Sequence, residues 1–278
     1  MDNISQLQKK AIDIRKSLLQ MIVAGNTGHT GGSLSSVDLL VSLFYHTMNF
    51  HPGNQSAPDR DRFILSKGHS VEAYYAILAD RGFFPQEELA NFSHYESRLI
   101  GHPSIKVPGV EMNTGALGHG LSVGGGMALA AKMDQLDSRV FVLMGDGEQA
   151  EGSIWEAAMA ASHHKLDNLV GIVDRNYLQI SGNTEDVMSL DDLSAKWTAF
   201  GWQVHPVDGN NIQALVALLD ALPRNSGKPQ LILANTIKGR GVSFMENNAK
   251  WHHGVPSREE LAQALAELTA AEAEGGQA

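Results

Sequence analysis

The chain has 278 residues, 43% of them hydrophobic, which is enough to build one large α/β domain or two small ones. A formal net charge of −10 argues against a nucleic-acid partner, and the absence of cysteine excludes disulfides, iron–sulfur ligation and thiol catalysis. Residues 1–16 are charged and amphipathic rather than a secretory signal, and the longest apolar runs fall short of a membrane span. A soluble cytoplasmic protein is therefore expected.

In chain order, Ile4, Leu7, Ala11, Ile14, Leu18 and Ile22 recur at helical spacing and predict a helix over residues 3–24. A glycine-rich loop, residues 25–33, follows. Ser33 or Ser35 is expected to cap the next helix, which runs through Val37, Leu40, Leu43 and Phe44. A polar loop over 51–60 leads to a short strand at 62–65. Ser66-Lys67-Gly68-His69-Ser70 then opens a helix through Ala79, so polar residues sit where a strand becomes a helix. Residues 82–112 read as irregular and include Gly101-His102-Pro103. Gly118, Gly120 and Gly124, at the start of a small-residue helix over 121–132, superficially suggest a dinucleotide fingerprint. The preceding residues 105–112, with Pro108 and Gly109, make a poor strand, and that reading is rejected.

The stretch 140–178 is the most informative. Val140 to Met144 read as a strand buried on both faces, broken by Gly145-Asp146-Gly147. A helix over 151–166 carries Ile154, Trp155, Ala158, Met159 and Ala161 at helical spacing. A second apolar run over 169–173 ends at Asp174-Arg175-Asn176. Glycines flanking Asp146 permit a tight turn whose N–H groups approach an anion, and the following helix start adds more donors. If the two strands are parallel neighbours, about 4.8 Å apart, Asp146 and Asn176 can reach one cation, with a carbonyl near Leu178 as a third oxygen. Magnesium suits such a phosphate-sharing oxygen site, and calcium and manganese accept the same donors. Beyond it, helices are predicted at 194–200 and 212–222, strands at 202–207 and 230–235, and an amphipathic helix at 257–272 with frayed final residues. Alternating strands and helices predict a doubly wound parallel sheet with helices on both faces, in one domain over 1–278.

A GDG turn followed about thirty residues later by Asn at a strand end resembles the thiamine diphosphate-binding motif. GHTGGSLSSVDLL, DRFILSKGHS, GHPS, PGVEMNTGALGHG, GDGEQAEG, Asn176 and HHG together resemble transketolase over nearly the whole chain. The resemblance implies Asp146, Asn176 and the Leu178 carbonyl as metal ligands, and contacts from Gly145 and Gly147 to the cofactor. It further implies His69 and His253 as diphosphate contacts facing the substrate, Lys67 and Lys238 as cations screening the diphosphate, and His29 and His102 beside the donor hydroxyls. Gly115 and Leu117 resemble residues lining the thiamine ring. Glu151, grouped with the cofactor set, and Glu156 resemble acidic interface residues that couple paired sites. His163 and His164 match no motif and read as structural. His119 stands where the family usually has Gln, and His252 is adjacent to the match without being the matched residue.

Transketolases of full length continue into a pyrimidine-binding domain and a C-terminal domain. The resemblance therefore implies the first subunit of a split transketolase, pairing with a separately encoded pyrimidine-domain subunit in an α2β2 assembly and transferring a two-carbon ketol unit from a ketose, expected as its phosphate, to an aldose. Another thiamine enzyme, of the deoxyxylulose-phosphate synthase or ketoacid dehydrogenase type, and a non-catalytic cofactor-binding module are the alternatives.

Overall fold

The computed structural model describes residues 2–273. Helices α1 (Asp2–Gly25) and α2 (Thr30–Ser42) precede strand β1 (Arg62–Leu65) and helix α3 (Val71–Asp80). An irregular stretch then leads to α4 (Gly120–Met133), β2 (Val140–Gly145), α5 (Gly152–His163) and β3 (Leu169–Arg175). A small hairpin, β4 (Leu178–Gln179) with β5 (Gly182–Asn183), and α6 (Thr184–Val187) come next. The described chain ends with α7 (Leu193–Ala199), β6 (Gln203–Asp208), α8 (Ile212–Ala221), β7 (Gln230–Asn235) and α9 (Arg258–Ala273).

The five longer strands form one all-parallel sheet in the order β1-β2-β3-β7-β6. Strands buried on both faces read as unbroken apolar runs, because alternate side chains enter opposite cores. Phe141 and Leu143 of β2 join a core with α1, α2, α3, α8 and α9, whereas Val140, Val142 and Met144 join one with α4, α5 and α7. Two tryptophans anchor the second core. Trp197 is fully buried with its indole N–H donated to Gln149 Oε1 at 3.2 Å, and Trp202 donates to the Ala158 carbonyl at 3.0 Å. Strand β6 lies at the sheet edge, where Pro206 costs no ladder bond needed by a further strand.

The expected doubly wound parallel sheet is present. Several local expectations need correction. Helix α2 begins at Thr30, so Ser33 and Ser35 lie inside it and cap nothing; their hydroxyls donate to Glu72 and Asp174, which draw them inward. The helix after the GDG turn starts at Gly152 and ends at His163, three residues short of the expected Leu166, and Met159 faces solvent at 57% exposure. No strand precedes Gly118 in the described chain after β1, in keeping with the rejected dinucleotide reading. The expected fraying of the last residues lies outside the described residues. Among the described residues, no helix is long and apolar enough to cross a membrane.

Candidate functional site

A cavity of about 310 Å³ opens at the carboxyl ends of the central strands. Open α/β sheets place ligands there, because strand ends and helix starts leave backbone groups pointing outward. The register sets its floor: Gly145 pairs with Asp174, so Asp146 and Asn176 stand just past the same rung of neighbouring strands.

Asp146 is 3% exposed and caps the 3-10 turn at Gly147–Ala150, its Oδ1 accepting from Gly147 N at 2.8 Å. Its Oδ2 accepts from Tyr177 N at 2.7 Å, a direction that Tyr177 achieves by adopting φ +63°. Burial, followed by the nearby Asp174 charge, raises the Asp146 pKa. Asn176 donates its Nδ2 to Asp174 Oδ2 at 3.2 Å, which fixes its Oδ1 as the outward acceptor, and that oxygen takes Leu178 N at 3.1 Å. The Leu178 carbonyl already accepts from a cation, the Lys238 ammonium at 2.8 Å. One carboxylate, one carboxamide oxygen and one carbonyl are a donor set suited to a hard divalent ion, and the residues present fit a magnesium-type site.

Three buried carboxylates hold this frame together. Asp174, fully buried, accepts from Ser35 Oγ at 2.7 Å and also from Thr236 Oγ1 and the Lys67 ammonium. Burial pushes its pKa up, but Lys67 and these donors outweigh it and hold the group below its ordinary value. Glu148 accepts from Ser66 Oγ, from Gly118 N at 2.8 Å and from Gly145 N at 2.9 Å, tying the GDG turn to the loop before α4. Glu72 fixes the glycine-rich loop before α2 through His29 N at 2.8 Å and Ser33 Oγ at 2.6 Å, and burial pushes its pKa up to about 7. The sequence alone assigns a role to none of the three, since nothing in residue type reveals a partner many residues away.

Above this floor stands a group of imidazoles. The His29 ring lies 4.7 Å from His253, 5.1 Å from His69, 5.6 Å from His252 and 6.3 Å from His102. Burial is the first cause holding several of them neutral. The His29 pKa falls to about 4, with His253 and His102 adding to the effect; His69 falls to about 2 with help from Lys67, and His102 is lowered by burial. Gly115 approaches His102 so closely that a Cβ there would lie 2.7 Å from the ring, and its φ of +146° also favours glycine.

Of the residues singled out in the sequence, His29, Lys67, His69, Gly115, Leu117, Gly145, Asp146, Gly147, Asn176, Leu178 and Lys238 line the cavity. His102 adjoins it through Gly115 and His29. The Lys67 ammonium, expected to screen an anion, is bound to Asp174 and to the Gly32 carbonyl at 2.9 Å. Glu151, expected among the cofactor contacts, lies outside the cavity: it is exposed at the start of α5, packed against Gly118. Glu156 is exposed on the same helix, and His119 is exposed with Nδ1 3.2 Å from the Leu117 carbonyl. His253, also expected at the diphosphate, is exposed beside Thr27, whereas His252, unassigned in the sequence, lines the wall. Gln179 and Ile180 of the hairpin segment, with Gly32 and Glu148, complete it; strands of two residues carry too little periodicity to be read in advance.

Comparison with known proteins agrees with this architecture. Residues 7–273 match the family described as transketolase, thiamine diphosphate binding domain. A subunit of an apulose-4-phosphate transketolase from Phocaeicola vulgatus is 48% identical over 96% of this chain and 95% of its own length. A 6-deoxy-6-sulfo-D-fructose transketolase subunit from Clostridium sp. is 43% identical over 94% of this chain and 96% of its own. The solved transketolase from Leishmania mexicana superposes with a TM-score of 0.88 at 29% identity; 95% of this chain is covered but only 41% of that one. This chain thus spans less than half of that longer enzyme and nearly the whole of the subunit-type relatives. The chain belongs to the transketolase family and carries its thiamine diphosphate-binding domain.

Proposed function

We propose that the chain is the diphosphate-binding subunit of a two-chain transketolase, moving a two-carbon ketol unit from a ketose to an aldose, with sugar phosphates as the substrate class. The observation that carries the reading is that Asp146, Asn176 and Leu178 line one cavity together with the closely set imidazoles of His29 and His69. Asp146, Asn176 and Leu178 would hold Mg2+, or Ca2+ or Mn2+ in its stead, and Gly147, which lines the cavity, would lie against the diphosphate it carries. When bound, thiamine diphosphate supplies the electron sink that lets a ketose C–C bond break. The protein's own part is to position and to move protons. His29, His69 and His102, kept neutral by burial, each offer one acceptor nitrogen and one N–H to sugar hydroxyls at pH 7. Lys238 adds positive charge opposite an anionic ligand.

A separate partner is part of the proposal, because the Phocaeicola vulgatus and Clostridium relatives, each matched over nearly its whole length, are named as subunits. The partner would supply the pyrimidine-binding half, in an α2β2 assembly. Coexpression with such a chain, followed by a transfer assay between a phosphorylated ketose and an aldose, tests it. Activity is expected only in the assembled complex; full turnover by the isolated chain contradicts the two-chain reading.

A further inference from the structure

A second cavity, of about 370 Å³, opens past the ends of the edge strand β6 and its neighbour β7, against α1, α2 and the start of α8. The chain leaving β7 divides it from the imidazole cavity: Asn235, Thr236 and Ile237 line this one, and Lys238 lines the other. Its volume is that of a small-molecule site. The polar groups on its wall are fixed by the fold but only partly used. Asn210 is fully engaged, donating Nδ2 to Asp38 Oδ2 at 2.9 Å and accepting from Ile237 N at 2.8 Å, and the buried Arg15 guanidinium offsets the Asp38 charge at 2.6 Å. Asn211 spends its Oδ1 on Ala214 N at 3.0 Å as the cap of α8, and Asn235 spends its Oδ1 on the Tyr177 hydroxyl at 3.2 Å, so each keeps an NH2 donor. Arg240 Nη1 reaches Glu246 only at 3.4 Å, and its buried Nε has no partner among the described residues. Asp208 is exposed; its Oδ1 accepts from Asn210 N at 3.0 Å, and among the described residues no cation pairs with it.

We propose that this cavity is a second ligand site, separate from the imidazole cavity, that takes a neutral polyhydroxy compound. The wall chemistry decides the class. An anion would satisfy Arg240 and the two carboxamide NH2 groups but would stand against Asp208, whose charge nothing offsets. An ammonium would suit Asp208 and leave the guanidinium and the carboxamides without an acceptor. A hydroxyl both donates and accepts, so neighbouring hydroxyls on one carbon chain can give a proton to Asp208 and take protons from Asn211, Asn235 and Arg240. Free carboxamides and one carboxylate set around a cavity are therefore complementary to a row of hydroxyls and to no single charge. The inference does not depend on the diphosphate reading, since none of these side chains lines the imidazole cavity.

The test is titration of the full 15N-labelled chain with ribitol, read by NMR at the side-chain N–H groups of Asn211, Asn235 and Arg240. Saturable shifts at all three are expected, and ribitol 5-phosphate should bind at these groups more weakly, because its charge meets Asp208. Asp208→Ala should weaken ribitol binding about ten-fold, the worth of one hydrogen bond to a charged group, and Asp208→Asn, which keeps an acceptor in place, should restore part of it. Arg240→Met, which keeps the apolar stem, should weaken it by a similar factor. The inference is overturned by a spectrum that ribitol leaves unchanged, by shifts confined to the imidazoles of the other cavity, by tighter binding of ribitol 5-phosphate at these groups, or by wild-type affinity in both Asp208→Ala and Arg240→Met. None of those results bears on whether the imidazole cavity binds a diphosphate.

Discussion

Lys67 and Asp174 are buried together under the cavity at 2% and 0% side-chain exposure. A buried ion pair adds little by itself, but removing one partner strands the other charge in a dry site. Lys67→Met should therefore destabilise the fold by about 3–5 kcal/mol in denaturant melts, and Lys67→Met combined with Asp174→Asn should recover much of that loss. Additive losses in the double variant contradict the pairing. Glu72 makes a pH prediction. Its pKa rises from 4.5 unfolded to about 7 folded, so between those values the native state holds the extra proton. Stability from this group is present below pH 4.5, falls as pH rises through the window and levels off above 7, a change of about 3 kcal/mol. Glu72→Gln keeps an acceptor for His29 N–H and should flatten that slope relative to wild type; parallel profiles contradict the assignment.

At the scale of elements, Arg175 fastens the loop that carries the cation donors. It is 4% exposed, donates to Thr184 Oγ1 at 2.8 Å and to Glu185 Oε1 at 2.6 Å, and lies 4.0 Å from the Tyr177 ring centroid. Arg175→Met should leave the sheet folded but lower hydrogen-exchange protection at Tyr177 and Thr184 by about ten-fold, given the worth of charge-assisted hydrogen bonds. Unchanged protection there contradicts the clamp. Gly115→Ala should push the His102 ring aside and reduce turnover more than cofactor affinity. The long elements of this framework are legible in the sequence, because unbroken apolar runs and helical spacing are properties of residues close together in the chain. The β2–α5–β3 unit and the placement of Asp146 and Asn176 come from such local signals. Other features depend on distant partners. Ser33 and Ser35 look like caps until Glu72 and Asp174 are seen to claim their hydroxyls. Likewise, only Lys238 reveals which of two neighbouring histidines turns inward.

At the scale of the molecule, apolar side chains turn to solvent on the segment that runs on from Ile180 in the cavity wall. Ile180 is 70% exposed, Val187 42% and Met188 60%, all on the hairpin and α6 segment. An exposed apolar strip of this kind is the surface on which the partner chain proposed above would dock. Met188→Asp should weaken assembly with the proposed partner chain, read by analytical ultracentrifugation, without lowering the melting temperature of the isolated chain. Central to the proposed function is a divalent ion held by Asp146, Asn176 and the Leu178 carbonyl. Calorimetric titration of thiamine diphosphate into the assembled complex, with Mg2+ and after chelation, tests that claim directly. Binding that requires the metal and is lost in Asp146→Ala and Asn176→Ala is the predicted result; equal uptake without metal, or in those variants, would contradict it.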